Sequence, residues 1–252
     1  MRTVLLFLGV ASFLRAQSGL SIPQIGFVTD GNHSMRPLQG LAGNFLLGES
    51  VGEDCLASAS SGLYAMVKTS TSVLVLDSQG QIQFSMDAED GPALFAFSAQ
   101  GAPGLVFLPD SGLLLIWRDG RLDRLPVNPD RLNGKAISIA SGVPSEARFL
   151  VERPDGVWQL VISTATGELT GQEALPGVHS PALLTGSGEL FWIDGQTLMM
   201  RDHSLDLGFT AAAIEVLGAG WLQVTEQDSA RRFAVRTTLG RERLYQLPEA
   251  AQ

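Results

Sequence analysis

Pro92-Ala93-Leu94-Phe95-Ala96-Phe97, a turn at Gln100-Gly101, Gly104-Leu105-Val106-Phe107-Leu108, a turn at Asp110-Ser111-Gly112, Leu113-Leu114-Leu115-Ile116-Trp117, a turn at Asp119-Gly120, then Leu122-Asp123-Arg124-Leu125-Pro126: this stretch decides the fold. It holds four short apolar runs separated by turns of Gly, Asp and Ser. Short runs rich in Val, Ile, Leu, Phe and Trp, bounded by such residues, are strand signals.

The unit recurs along the chain. The turn after its first run falls at Gly62, Gly101, Gly142, Gly188 and Gly220, at intervals of 39, 41, 46 and 32 residues. Two copies open on Pro-Ala-Leu (92–94 and 181–183), and three close on Leu-Pro, at Leu125-Pro126, Leu175-Pro176 and Leu247-Pro248. A proline has no N–H to give a ladder, so the fourth run belongs at an outer edge. Five full units follow, at 54–87, 92–127, 134–176, 180–209 and 211–248, the fourth run of 180–209 being weak. Ahead of them, residues 25–29 turn through Asp30-Gly31-Asn32 into 35–38. These read as the last two strands of a sixth, incomplete unit, with Phe45-Leu46-Leu47 as a candidate third.

A four-stranded sheet that is apolar on both faces must be covered on both, and radial packing of repeated sheets does this while leaving only short edges. The sequence therefore predicts an all-β fold, a β-propeller of about six four-stranded blades with the first incomplete. Five or seven blades are the alternatives. Residues 96–101 through 115–119 resemble a blade of the WD40 or TolB type, in which a Phe-Ser-x-x-Gly turn precedes a strand ending in Trp-Asp. Here Arg118 separates Trp117 from Asp119, and the Gly-His dipeptide of WD40 repeats is absent. The resemblance is to bacterial secreted β-propeller repeat proteins. It implies the fold and names no functional family.

Helical periodicity is scarce. Its best candidate is the run from Ala211 to Leu217, closed by Gly218 and Gly220. Trp117 and Trp158 fall in third strands and Trp192 and Trp221 in second strands, which suits packing between blades better than a ligand-stacking ring.

The chain has 252 residues, of which 45% are hydrophobic and 28 are Gly. That is enough to bury a sizeable core. Lys+Arg number 17 against 26 Asp+Glu, a net charge of -9 without a basic stripe, which excludes a phosphate-backbone binder and so a nucleic-acid partner. Arg2 precedes an apolar stretch from Val4 to Leu14, followed by Arg15-Ala16-Gln17 and a polar Ser18-Gly19. This is the form of a secretory signal peptide, residues 1–16, with 17–252 as a single propeller domain in the periplasm or outside the cell. Cleavage after Ala16 removes two arginines and no acid, taking the net charge to -11. No other segment reaches the length of a transmembrane helix. Cys55 is the sole cysteine, so no internal disulfide forms, and a small buried side chain is its expected role.

Propeller loops that join one blade to the next share a face with those joining strands two and three. That face collects Glu53, Asp54, Asp87, Glu89, Asp90, Asp130 and His179, and then Asp110, Asp155, Asp194 and Asp228. The opposite face receives mostly Ser, Gln, Thr and Gly turns. The candidate ligand-binding residues are Asp87, Glu89, Asp90 and His179. Carboxylates so placed suit Ca²⁺ or a basic partner, while Asp beside Gly or Ser is also ordinary turn chemistry. His33 and His203 read as solvated, and helical metal-site spacings, nucleophile elbows and phosphate loops are missing. The expected function is a non-catalytic exported binding or scaffolding module with its partner at the acidic face. The alternative is a propeller hydrolase or lyase with a metal or acid site at the central mouth.

Overall fold

A computed structural model describes residues 22–98, 101, 103–125, 129–143 and 145–249. The signal-peptide reading of 1–16 and Pro126 of the first Leu-Pro pair lie outside these residues, and the side chain of Asp130 is likewise not described.

The chain folds as a succession of antiparallel meanders, each a separate sheet. Blade 1 has three strands, β1 (Gln24–Thr29), β2 (Met35–Leu41) and β3 (Asn44–Leu47). Blade 2 has β4 (Ala57–Ser60), β5 (Tyr64–Lys68), β6 (Ser72–Asp77) and β7 (Ile82–Asp87). Blade 3 has β8 (Leu94–Phe97), β9 (Gly104–Leu108), β10 (Leu113–Arg118) and β11 (Arg121–Arg124). Blade 4 has β12 (Lys135–Ser141), β13 (Glu146–Arg153), β14 (Gly156–Ser163) and β15 (Leu169–Ala174). Blade 5 has β16 (Ala182–Leu184), β17 (Leu190–Asp194), β18 (Thr197–Met200) and β19 (Ser204–Asp206). Blade 6 has β20 (Ala211–Gly218), β21 (Trp221–Glu226), β22 (Arg232–Arg236) and β23 (Arg243–Gln246). The fold is a six-bladed propeller, and the doubtful fourth strand of the 180–209 unit is present as β19.

Six apolar clusters fill the six interfaces between blades. Blades 1 and 2 share Phe27, Met35, Cys55 and Val67, while blades 2 and 3 share Met66, Val75, Val106 and Trp117. Phe107 of blade 3 meets Phe149 of blade 4 edge to face at 5.3 Å. Leu150 and Leu184 join blades 4 and 5, Phe191 and Val224 join 5 and 6, and Leu38 and Leu217 join 6 and 1. Each blade is thereby apolar on both faces, and only radial packing satisfies both. The tryptophans serve this packing. Trp117 lies between Tyr64 and Phe84 of blade 2, and Trp221 meets Phe45 of blade 1 edge to face at 5.7 Å.

The Leu-Pro endings have a common geometry. The amide of Leu125 donates to Leu114, that of Leu175 to Val157 and that of Leu247 to Arg232, each acceptor in a third strand. The leucine makes the last rung of the ladder, and the following proline has no N–H to extend it.

Blade 1 lacks a first strand. Gly26 lies beside Ser60 Oγ at the end of β4, and Thr29 Oγ1 lies 3.2 Å from Cys55 Sγ and 3.5 Å from Ser58 Oγ at its start. β1 therefore runs antiparallel to β4, as the second strand of a complete blade would. β4 and β20 touch directly, and Ser60 Oγ donates to the carbonyl of Leu217 at 3.2 Å. Five first strands, β4, β8, β12, β16 and β20, surround the axis, and β1 closes the seam behind two of them. The sequence reading of an incomplete unit holds, but 25–29 and 35–38 are its second and third strands rather than its last two, and β3 is the last.

The helical-period candidate from Ala211 to Leu217 is a strand, β20. Register shifts between Ala211 and Ala213 and between Val216 and Gly218 are β-bulges. Each turns the following side chain by one position, so Ala211, Ile214 and Leu217 are buried at a spacing of three that imitates a helix face.

Candidate functional site

The five inner strands enclose a cavity of about 670 Å³ on the axis. It opens on the face made by the first turns of the blades, where Ser61-Gly62, Gly101, Thr185-Gly186 and Ala219-Gly220 form the rim. Ser and Thr hydroxyls hold these turns. Ser61 Oγ accepts the amide of Tyr64 at 3.0 Å, and Thr185 Oγ1 accepts that of Glu189 at 3.1 Å. The wall is largely apolar, with Ala59, Phe95, Ile137, Leu183 and Val216 among its residues. Its size and polarity are those of small-molecule sites, which run from about 300 to 1,000 Å³.

Glu215 is the charge inside this cavity. It stands on β20 between the two bulges, with Ile214 and Val216, which also line the cavity, on either side. Its side chain is open to the channel, with the walls of the cavity standing around it. Gln223 of β21, its cross-strand neighbour, donates Nε2–H to Glu215 Oε2 at 3.0 Å. Burial pushes the Glu215 carboxyl above its ordinary range, and the more distant charge of Arg232 only partly opposes this. Arg232 is itself desolvated and held below its ordinary value, with Asp30, Glu215 and Glu249 acting the other way. Among the described residues no ion pair joins Arg232 to Glu215. The second ionisable residue lining the cavity is Glu189 near the rim, which accepts a hydrogen bond from Ser187 at 2.8 Å. No Lys, Arg or His lines it among the described residues.

Cys55 lies behind this wall, fully buried. Burial raises its thiol, the Thr29 and Ser58 hydroxyls pull it down, and the negative charges of Glu215 and Asp54 raise it further. Its role is the small packed side chain expected from the sequence.

The residues singled out in the sequence stand elsewhere. Asp87 ends β7, and Glu89 and Asp90 lie in the loop to β8, all three exposed. Asp90 Oδ1 accepts the amide of Gly91 at 2.8 Å, which is turn chemistry. Among the described residues no protein group pairs with Asp87 or Glu89. His179 is exposed in the loop between β15 and β16. These four share the face of blade-to-blade connections, opposite the mouth of the cavity, and none lines it. Several other acids on that face are internally used. Asp54 bonds the amide and hydroxyl of Ser70, whose hydroxyl chiefly holds its carboxyl below the usual range, and Asp155 accepts from Trp158 Nε1 at 3.0 Å. Among the described residues no three His, Cys, Asp or Glu side chains converge as a metal set, for Ca²⁺ or any other ion. His203, read as solvated, is instead half-buried, with Nε2 3.0 Å from Glu242 of the next blade.

Sequence reasoning missed Glu215. Its signal was present as one acid inside an otherwise apolar first run, Ala211 to Leu217. The helical spacing of that run disguised it.

No protein-family model matches this chain, and no curated protein matches it. Solved structures do. TolB from Acinetobacter baumannii superposes with a TM-score of 0.53 at 12% identity, over 90% of this chain and 65% of that one. A chain of the nidogen–laminin complex gives 0.52 at 10% identity, over 88% and 92%. PorZ, a bacterial surface component of the type-IX secretion system of Porphyromonas gingivalis, gives 0.50 at 13% identity, over 89% and 31%. At these identities the likeness is one of fold. Among the described residues no helix is long and apolar enough to cross a membrane.

Proposed function

We propose that this chain is an exported, non-catalytic binding protein that holds a small ligand in its axial channel. The carrying observation is the largely apolar cavity of about 670 Å³ whose ionisable lining, among the described residues, is Glu215 inside and Glu189 near the rim. An apolar wall supplies affinity, and one convergent polar group supplies orientation. Export rests on the N-terminal pattern of Arg2, the apolar run from Val4 and Ala16, and it accords with the surface location stated for PorZ. A periplasmic or secreted setting follows from it.

The opposite face supports a second contact. Asp87 and Glu89 are exposed and unpaired among the described residues, so their charge is free to steer a basic protein partner. The hydrolase or lyase alternative is less well supported, because the group bonded to Glu215 is the amide of Gln223, which is no general acid or base.

A thermal-shift screen of small molecules tests the channel reading. A ligand that binds only the native state raises Tm. Compounds that raise Tm of the wild type and leave Leu183→Trp, whose channel is filled, unshifted support the proposal. Equal shifts in both proteins, or none in either, overturn it.

A further inference from the structure

The ionisable residues lining the cavity are Glu189 and Glu215, both acids, and no basic side chain among the described residues faces them. A carboxylate offers about four lone-pair sites, and Glu215 uses one of them for Gln223 Nε2. Such an anion, confined in a largely apolar channel and without a cation in contact among the described residues, is a group that an arriving cation relieves. Arg232 opposes the rise of the Glu215 carboxyl through its charge, and no ion pair joins the two among the described residues. The lining also presents aromatic rings, Phe95, Phe97 and Trp221, and aromatic faces attract cations once water is excluded.

We propose that the channel selects an organic cation, a protonated amine carried on an apolar body, with the ammonium on Glu215 and the body against the aromatic wall. The inference rests on the channel reading above and adds the ligand class. An anion of the same shape meets two like charges in a confined space. A neutral alcohol of the same shape fits the wall and leaves Glu215 without a counter-charge. Charge sign, rather than shape, is therefore what the site discriminates.

The test is calorimetric titration with three probes of similar size, phenethylammonium, 2-phenylethanol and 3-phenylpropanoate, at mildly alkaline pH, chosen to favour the carboxylate while the amine stays protonated. The full chain is used, with Glu215→Gln and Leu183→Trp as variants whose folding is checked by circular dichroism. Ala59→Phe, on a different strand, replaces the tryptophan variant should that one misfold. Expected is tightest binding of the ammonium, weakened about tenfold by Glu215→Gln, as for loss of a charge-assisted contact. Binding of the alcohol stays unchanged in that variant, and the filled channel loses both. If alcohol and amine bind equally and Glu215→Gln alters neither, the cation inference falls while the channel reading stands. If no probe binds the wild type, or filling the channel changes nothing, both fall.

Discussion

Gly26 faces the carbonyl oxygen of Leu217 so closely that a β-carbon on Gly26 would lie 1.7 Å from it. The reciprocal approach is as tight, with a β-carbon on Gly218 falling 2.0 Å from the oxygen of Ile25. Two backbones meet here without side chains between them, at the seam where blade 1 lacks its first strand. The contact sets how the ring closes.

Gly26→Ala therefore separates blade 1 from blade 6. Because the obstacle is backbone, relief requires a shift of a whole strand, and we expect a loss of about 3 kcal/mol, at the upper end for overpacking. Gly62→Ala, in a turn where an added β-carbon meets nothing within 4 Å, is the control and stays near wild type. Urea unfolding of the two variants measures the difference.

Trp117→Ala tests the packing between blades 2 and 3. The ring is 3% exposed and lies between Tyr64 and Phe84, so its removal is expected to cost about 3–5 kcal/mol. Trp158→Ala is the comparison, since Trp158 is only partly buried and its Nε1 bonds a turn aspartate. It should cost clearly less in the same denaturation assay.

Asp30 gives stability that depends on acid. Burial alone would raise its carboxyl, but Arg36 at 2.8 Å, the amides of Ser34 and Asn32, and the Arg36 charge outweigh it and hold the carboxyl below 3.8. A group with a lowered native value stabilises fully above the unfolded value and loses that contribution as pH falls through the native one. Asp30→Asn should cost about 2 kcal/mol at neutral pH, from weakened hydrogen bonds to a charged partner. Its gap from wild type should close on acidification below the ordinary aspartate range.

Glu215 has the opposite sign. Its native carboxyl is raised from 4.5, so the cost of keeping it ionised is fully present above the native value. The cost declines as pH falls from the native value toward the ordinary one. Glu215→Gln should accordingly raise Tm at alkaline pH, and the two proteins should converge as pH approaches the ordinary glutamate range. A constant offset across pH would contradict this electrostatic environment.

The architecture was legible because each blade needs the same hardware. Gly62, Gly101, Gly142, Gly188 and Gly220 all mark first turns, and the Leu-Pro pairs all follow outer strands. The missing first strand was legible only as an incomplete unit, because direction along β1 depends on contacts such as Thr29 with Cys55, 26 residues away. The site was much less legible. Asp87, Glu89 and Asp90 drew attention by local density of charge, yet density in sequence does not bring side chains to the axis. Glu215 lines the cavity from between two bulges, and bulges leave no clear mark except a broken alternation, here resembling a helix. The plain Ser, Thr and Gly turns that seemed empty of chemistry form the rim of the cavity.

The central claim is that the axial channel, rather than the acidic face, is where a small molecule binds. The most direct measurement is capture of small molecules from a cell-envelope extract, read by mass spectrometry after washing and denaturation. Three proteins are compared: the wild type, Leu183→Trp, and the triple variant Asp87→Ala, Glu89→Ala, Asp90→Ala. The account predicts a compound retained by the wild type and the triple variant and lost from Leu183→Trp. Retention by Leu183→Trp together with loss from the triple variant would contradict it.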